Sequence, residues 1–254
     1  MPAPSKFVWY DVMTTDVKAA EKFYAAVMGW KMTDSGMPDT VYTLVSNGDT
    51  QVGGIMPIPA DAKGMPPMWM GYIGVDDVDA YAEKVKKSGG AIRRPPTDIP
   101  GVGRFAVAAD PHGAGFILFK GNSNAVPEPA PFMAKGHIGW HELHAGNLDD
   151  AFKFYSGLFG WEKDEAHDMG GFIYQTVKTG GDAAAVGMMT KMPDTPVPHW
   201  VYYFSVGDID AGAKRVEDNG GQVLMDVMEV PGGVWIAPCM DPQGAMFALI
   251  GEKV

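Results

Sequence analysis

One cysteine, Cys239, stands in 254 residues. A single thiol excludes an internal disulfide framework and any paired-cysteine zinc or redox motif. Positive charge is scarce as well, with 20 Lys and Arg against 31 Asp and Glu and a net charge of −11. A chain of that sign repels phosphate backbones, so nucleic acid is not an expected partner. Long apolar runs are missing too. Asp, Lys, Gly or Pro interrupts each stretch well short of the ~20 residues a membrane helix needs. Met1-Pro2-Ala3-Pro4-Ser5-Lys6 runs into strand-like sequence with no hydrophobic leader, so a cytoplasmic protein without a membrane partner is expected. What is present is ordinary globular material. At 46% hydrophobic and 20% charged residues, the chain has enough apolar matter for two domains of roughly 100–200 residues each.

The chain repeats itself. Sliding it until Trp9 meets Trp140 also brings Phe23-Tyr24 onto Phe154-Tyr155 and Gly29-Trp30 onto Gly160-Trp161. Further along, Trp69 meets Trp200, Tyr72 meets Tyr203, Gly89-Gly90 meets Gly220-Gly221, and Asp110-Pro111 meets Asp241-Pro242. The register slips locally around Tyr42/Tyr174 and Gly54/Gly187, as loop insertions would cause. A period this long marks a duplicated domain rather than a solenoid unit. The Pro-rich segment 121–131 between the copies reads as a semi-extended linker.

Each copy alternates strand and helix. Residues 7–13 are rich in strand formers and end at Thr14-Thr15-Asp16, where Thr15 or Asp16 can cap a helix. Over 17–28, Ala20, Phe23, Tyr24 and Val27 recur at helical spacing until Gly29. Strands at 41–46 and 51–57 are expected around the Asn47-Gly48 turn. The cycle restarts with a strand at 69–75, a helix at 78–87, and strands at 91–94, 104–108 and 115–120. The whole chain thus holds four such modules.

These residues resemble the vicinal oxygen chelate superfamily, which includes glyoxalase I, extradiol dioxygenases and bleomycin-resistance proteins. The matching pieces recur in order in both halves: Asp16 through Ala20, Phe23-Tyr24 and Gly29-Trp30; Val75-Asp76-Asp77 with its following helix and Gly89-Gly90; and Asp110-Pro111-His112-Gly113-Ala114, repeated as Asp241-Pro242-Gln243-Gly244-Ala245. The resemblance implies an α+β fold of two tandem domains, 1–122 and 136–254, joined by a linker over 123–135. Each domain is expected to pair two βαβββ modules into a strongly curved mixed sheet backed by helices. Duplication within one chain further implies a monomer with an intrachain pseudo-dimer.

Superfamily chemistry usually rests on a divalent metal held by His and Glu. The resemblance places those ligand positions at Trp9, Met70 and Ile117 in one half, and at Trp140, Val201 and Ala248 in the other. Trp, Val, Ile and Ala cannot ligate a hard or borderline cation, and a lone Met favours soft copper. No cofactor is therefore expected, and a divalent metal only through unusual ligands.

Strand alternation predicts which side chains share a face with those positions. Trp9, Asp11 and Met13 fall together, as do Trp140, Glu142 and His144. Met70 and Tyr72 come from one later strand, Val201 and Tyr203 from its repeat. The result is an apolar, Trp- and Met-lined face with few polar groups, the make-up of a small-organic-ligand site. Simple core filling by the same residues is the alternative. Within His141-Glu142-Leu143-His144, Glu142 and His144 share a face while His141 points to the helix layer. That pair reads as a mutual hydrogen bond, as an acid/base or ligand-orienting couple, or as two ligands of an unusual metal site needing help from Tyr203. His137, His167 and His199 are expected in solvated loops, and Cys239 as a small buried residue. Binding of a small organic molecule is the expected function. An enzyme of lyase, isomerase or oxygenase type using Glu142 and His144 is the alternative, so catalysis is left open.

Overall fold

A computed structural model describes residues 5–38, 40–122, 130–181 and 183–254. Most of the expected linker, residues 123–129, lies outside the described residues. The first half runs β1 (Phe7–Thr14), α1 (Val17–Met28), β2 (Lys31–Asp34), β3 (Thr43–Asn47), β4 (Thr50–Pro57), β5 (Met68–Gly74), α2 (Val78–Lys87), β6 (Ala91–Ile99), β7 (Gly103–Ala109) and β8 (Gly115–Gly121). The second half repeats this as β9 (Ile138–Ala145), α3 (Leu148–Phe159), β10 (Glu162–Asp168), β11 (Ile173–Lys178), β12 (Val186–Thr190), β13 (His199–Asp208), α4 (Ile209–Asp218), β14 (Gln222–Val223), β15 (Met228–Val230), β16 (Val234–Met240) and β17 (Met246–Glu252). No described helix is long and apolar enough to cross a membrane.

The strands form two sheets, ordered β2-β3-β4-β1-β5-β8-β7-β6 and β10-β11-β12-β9-β13-β17-β16-β14, with β15 on β16. Both are mixed. β1 with β4 and β5 with β8 run parallel, while β3 with β4 and β7 with β8 are antiparallel. This is the expected α+β arrangement of four modules.

Local chemistry explains the helices. Asp16 accepts the Ala19 N–H at 3.0 Å to open α1, and Asn147 accepts from Asp150 at the start of α3. Both helices stop at a glycine with positive φ, Gly29 at 75° and Gly160 at 69°. Two strands were not legible in the sequence. β2 and β10 are edge strands with largely exposed, charged residues, which carry no alternating apolar signal. β6 also runs past the expected 91–94 to Ile99, through Pro95-Pro96 at a shift in its pairing with β7.

The described residues fall into two compact units, and each unit takes a module from each half of the chain. One lies within Trp9–Met70, Ala130–Trp140 and Val201–Val254, and is called here the Asp11 unit. Helix α1 packs on α4 there. In its core the Trp69 indole donates to the Tyr24 hydroxyl at 2.8 Å, and that hydroxyl donates to Asp241 at 3.0 Å. The other oxygen of Asp241 accepts the Gln243 and Ala245 N–H groups, which closes the Asp-Pro turn. The second unit lies within Met1–Val8, Gly71–Pro129 and His141–Trp200, and is called the Glu142 unit. Helix α2 meets α3, and the same relay runs from Trp200 to Tyr155 at 3.1 Å and on to Asp110 at 3.5 Å.

Candidate functional site

In the Glu142 unit, β9 sorts its side chains by alternation. His141 turns inward, stacks on Phe7 with ring centroids 4.3 Å apart, and bonds through Nδ1 to the Ala185 carbonyl at 2.9 Å. Burial pushes its pKa down to about 4, so it is a neutral core residue, as the alternation predicts. Glu142 and His144 occupy the other face and bond each other, Nε2 to Oε1, at 2.8 Å. The second carboxylate oxygen of Glu142 accepts the Tyr174 hydroxyl at 2.8 Å. Tyr174 reaches it because Gly187, paired with Glu142 across β12 and β9, has no side chain. A Cβ at Gly187 would collide with the Tyr174 hydroxyl.

His199 completes the cluster and corrects the expectation of a solvated loop. It opens β13, and its ring stacks on His144 at 4.7 Å with 13° between planes. Its Nδ1 lies 3.0 Å from the Val197 carbonyl, and burial lowers its pKa. His167 likewise sits in strand β10 rather than in a loop. Two nitrogens of the stacked pair, His144 Nδ1 and His199 Nε2, are shielded from solvent and have no hydrogen-bond partner among the described residues.

The Asp11 unit holds a related but closed arrangement. Asp11, 2% exposed, accepts from both the Trp9 indole at 2.9 Å and the Tyr42 hydroxyl at 2.7 Å, and Trp9 also donates to Tyr42 at 2.8 Å. Burial, and then the charge of Asp11, push the Tyr42 hydroxyl well above the usual phenol range. Gly54 pairs with Asp11 and leaves room for Tyr42, as Gly187 does for Tyr174. Carboxylate, tyrosine and glycine therefore recur in both units, and His144, two residues after Glu142, has Met13 as its counterpart after Asp11.

The remaining predicted residues divide between the units. Met13 is buried in β1 beside Met56 of β4, and Met70 is buried in β5. Trp140 packs with Val201, Tyr203, Ala248 and Ile250 in the Asp11 unit, with Met133 against the same cluster. Tyr72 and Ile117 are buried register partners of β5 and β8 in the Glu142 unit. Sequence reasoning passed over Tyr42, Tyr174, Gly54, Gly187 and His199. The two Tyr–Gly pairs did leave a signal, since they recur where the repeat register slips.

Among the described residues, no three His, Cys, Asp or Glu side chains are placed to hold an ion. Glu142, His144 and His199 come nearest. Their imidazoles lie in near-parallel planes, so in-plane lone pairs run alongside one another instead of converging on a tetrahedral or octahedral centre.

Comparison with known proteins identifies the family. The family model described as "Glyoxalase/Bleomycin resistance protein/Dioxygenase superfamily" matches residues 6–118 and again 136–249. The chain is 37% identical over 246 residues to "Putative glyoxylase CFP32" of Mycobacterium tuberculosis, covering 95% of this chain and 93% of that protein. It is 31% identical over 263 residues to "Anthracycline biosynthesis protein DnrV" of Streptomyces peucetius, covering 98% and 94%. Among solved structures, the Mn(II)-bound glyoxalase from Novosphingobium aromaticivorans shares the fold with a TM-score of 0.67 at 18% identity, over 98% of this chain and 83% of that one. The 2,3-dioxygenase LapB from Pseudomonas sp. KL28 does so at 0.66 and 14%, over 100% and 94%. The protein is a tandem member of the glyoxalase/bleomycin resistance protein/dioxygenase superfamily.

Proposed function

We propose that this protein binds a small organic molecule beside Glu142 and His144, without a metal centre. The observation that carries the reading is the pair of buried, unpartnered nitrogens, His144 Nδ1 and His199 Nε2, next to a fully engaged carboxylate. Buried polar atoms are nearly always hydrogen-bonded, and an exception calls for a partner such as a ligand. At the corresponding positions of the Asp11 unit, Met13 and Met68 replace His144 and His199 and offer no ring nitrogen. The names of the relatives, one a glyoxylase and one an anthracycline biosynthesis protein, both concern small organic molecules.

Proton transfer is the second reading, favoured by the Glu142–His144 bond. A carboxylate on one ring nitrogen orients the imidazole and leaves the other nitrogen to exchange a proton with a ligand. Tyr174 steadies the carboxylate from its far side.

Screening small organic molecules by tryptophan fluorescence, and then comparing Glu142→Gln, His144→Ala and Asp11→Asn, tests the reading. Affinity is expected to fall ~10-fold or more in the first two variants and to stay near wild type in the third. Impairment of the Asp11 variant alone would move the site to the other unit. Stoichiometric zinc, nickel, manganese or iron in the purified protein would overturn the metal-free part.

A further inference from the structure

Hydrogen-bond geometry fixes what the two stacked histidines can offer a ligand. His199 turns Nδ1 to the Val197 carbonyl at 3.0 Å, and a carbonyl oxygen only accepts, so the proton sits on Nδ1. Burial disfavours the imidazolium form, so the ring is neutral and Nε2 keeps a bare lone pair. His144 is set in the same way from its other end. Nε2 faces Glu142 Oε1 at 2.8 Å and carries the proton there, so in the neutral ring Nδ1 is also an acceptor. Neither acceptor has a partner among the described residues. The rings lie 4.7 Å apart and nearly parallel, so both acceptors belong to one stacked pair that meets the Glu142 carboxylate through His144.

A region of two acceptors beside a carboxylate repels an anion and gives another acceptor nothing to bond. A donor satisfies it. We propose that the Glu142 site selects ligands that present a neutral hydroxyl or N–H donor to His199 Nε2 or His144 Nδ1, with His199 as its specificity-determining residue. This rests on the small-molecule reading above and adds the functional group that the ligand must carry. The selectivity belongs to one unit, because the repeat counterparts of His144 and His199 are Met13 and Met68, whose thioethers are weak acceptors.

Phenol, anisole and benzoate serve as probes, followed by long-range nitrogen–proton NMR of protein labelled at histidine. Phenol is expected to shift the His199 Nε2 resonance and to bind ~10-fold tighter than anisole, which keeps the ring but lacks the donor. Benzoate is expected to bind more weakly than phenol. His199→Phe keeps an aromatic stack without the lone pair, and is expected to lose the preference for phenol. Equal binding of anisole, or a preference for benzoate, would overturn donor selection while leaving small-molecule binding standing. Saturating amounts of all three probes without a shift at either histidine would overturn the site itself. The unliganded wild type gives a check independent of any variant: a proton found on His199 Nε2 would overturn the inference.

Discussion

Tyr24 donates its hydroxyl to Asp241, 217 residues further along the chain, at 3.0 Å. The bond joins the first helix to the last Asp-Pro turn inside one buried core, and Tyr155 with Asp110 does the same in the other unit. Each half of the duplicated chain therefore supplies the aromatic residue that satisfies a turn carboxylate of the other half. Burial raises the Asp241 carboxyl above its ordinary pKa, while the Tyr24 bond pulls it back down.

The two relays differ in length, which predicts unequal costs. Tyr24→Phe strips a partner from both the Trp69 indole and the Asp241 carboxylate, where the bonds are 2.8 and 3.0 Å. Tyr155→Phe removes bonds of 3.1 and 3.5 Å. Denaturant unfolding is expected to show a loss of ~1–3 kcal/mol for Tyr24→Phe and a smaller one for Tyr155→Phe. The reverse order would mean that bond length does not rank the two relays.

Adding one methyl group tests the way Tyr174 reaches Glu142. In Gly187→Ala the new Cβ occupies the place of the Tyr174 hydroxyl, so the tyrosine must leave the carboxylate. The expected result is ~1–3 kcal/mol of destabilisation, from overpacking and the lost bond. Ligand affinity at the Glu142 site is expected to fall in parallel. Thermal unfolding and fluorescence titration of one preparation read both effects.

His141 gives a pH signature of known sign. Its folded pKa is about 4, against ~6.5 in an unfolded chain, so the unfolded state binds more protons between those values. Its contribution is fully present above pH ~6.5 and is lost as the pH falls to about 4, an effect on the order of 3 kcal/mol. Comparing wild type with His141→Gln across that window isolates the term, because Asp241, whose raised carboxyl works in the opposite sense, is common to both. The variant is expected to show the shallower acid loss. Parallel curves would place a charged or solvated imidazole at position 141.

Cys239 is fully buried in β16, and burial pushes its thiol up to about 12. Its Sγ lies 3.3 Å from the Ala237 carbonyl. A thiol that is neither ionised nor accessible does not attack a disulfide reagent. Native protein is therefore expected to show no reaction with an aromatic disulfide over minutes, and one equivalent after unfolding. Rapid reaction in the native state would contradict this burial.

The elements and their duplication are legible along the chain. Helix caps at Asp16 and Asn147, glycine stops at Gly29 and Gly160, and apolar spacing along α1 and α3 act within a few residues, so they are readable in one dimension. Strand alternation was equally local, and it set Glu142 and His144 on one face and His141 on the other. Edge strands β2 and β10 escaped because solvent, not a core, decides their composition. Tertiary packing sets which modules share a core, since the Tyr24–Asp241 bond depends on chain paths that no local pattern encodes. It also decided the candidate site. His199 meets His144 across 55 residues of sequence difference between their numbers, and Tyr174 meets Glu142 through a gap left by Gly187. Such contacts come from the packing of separate strands, where side-chain reach and the space left by a glycine count for more than spacing along the chain.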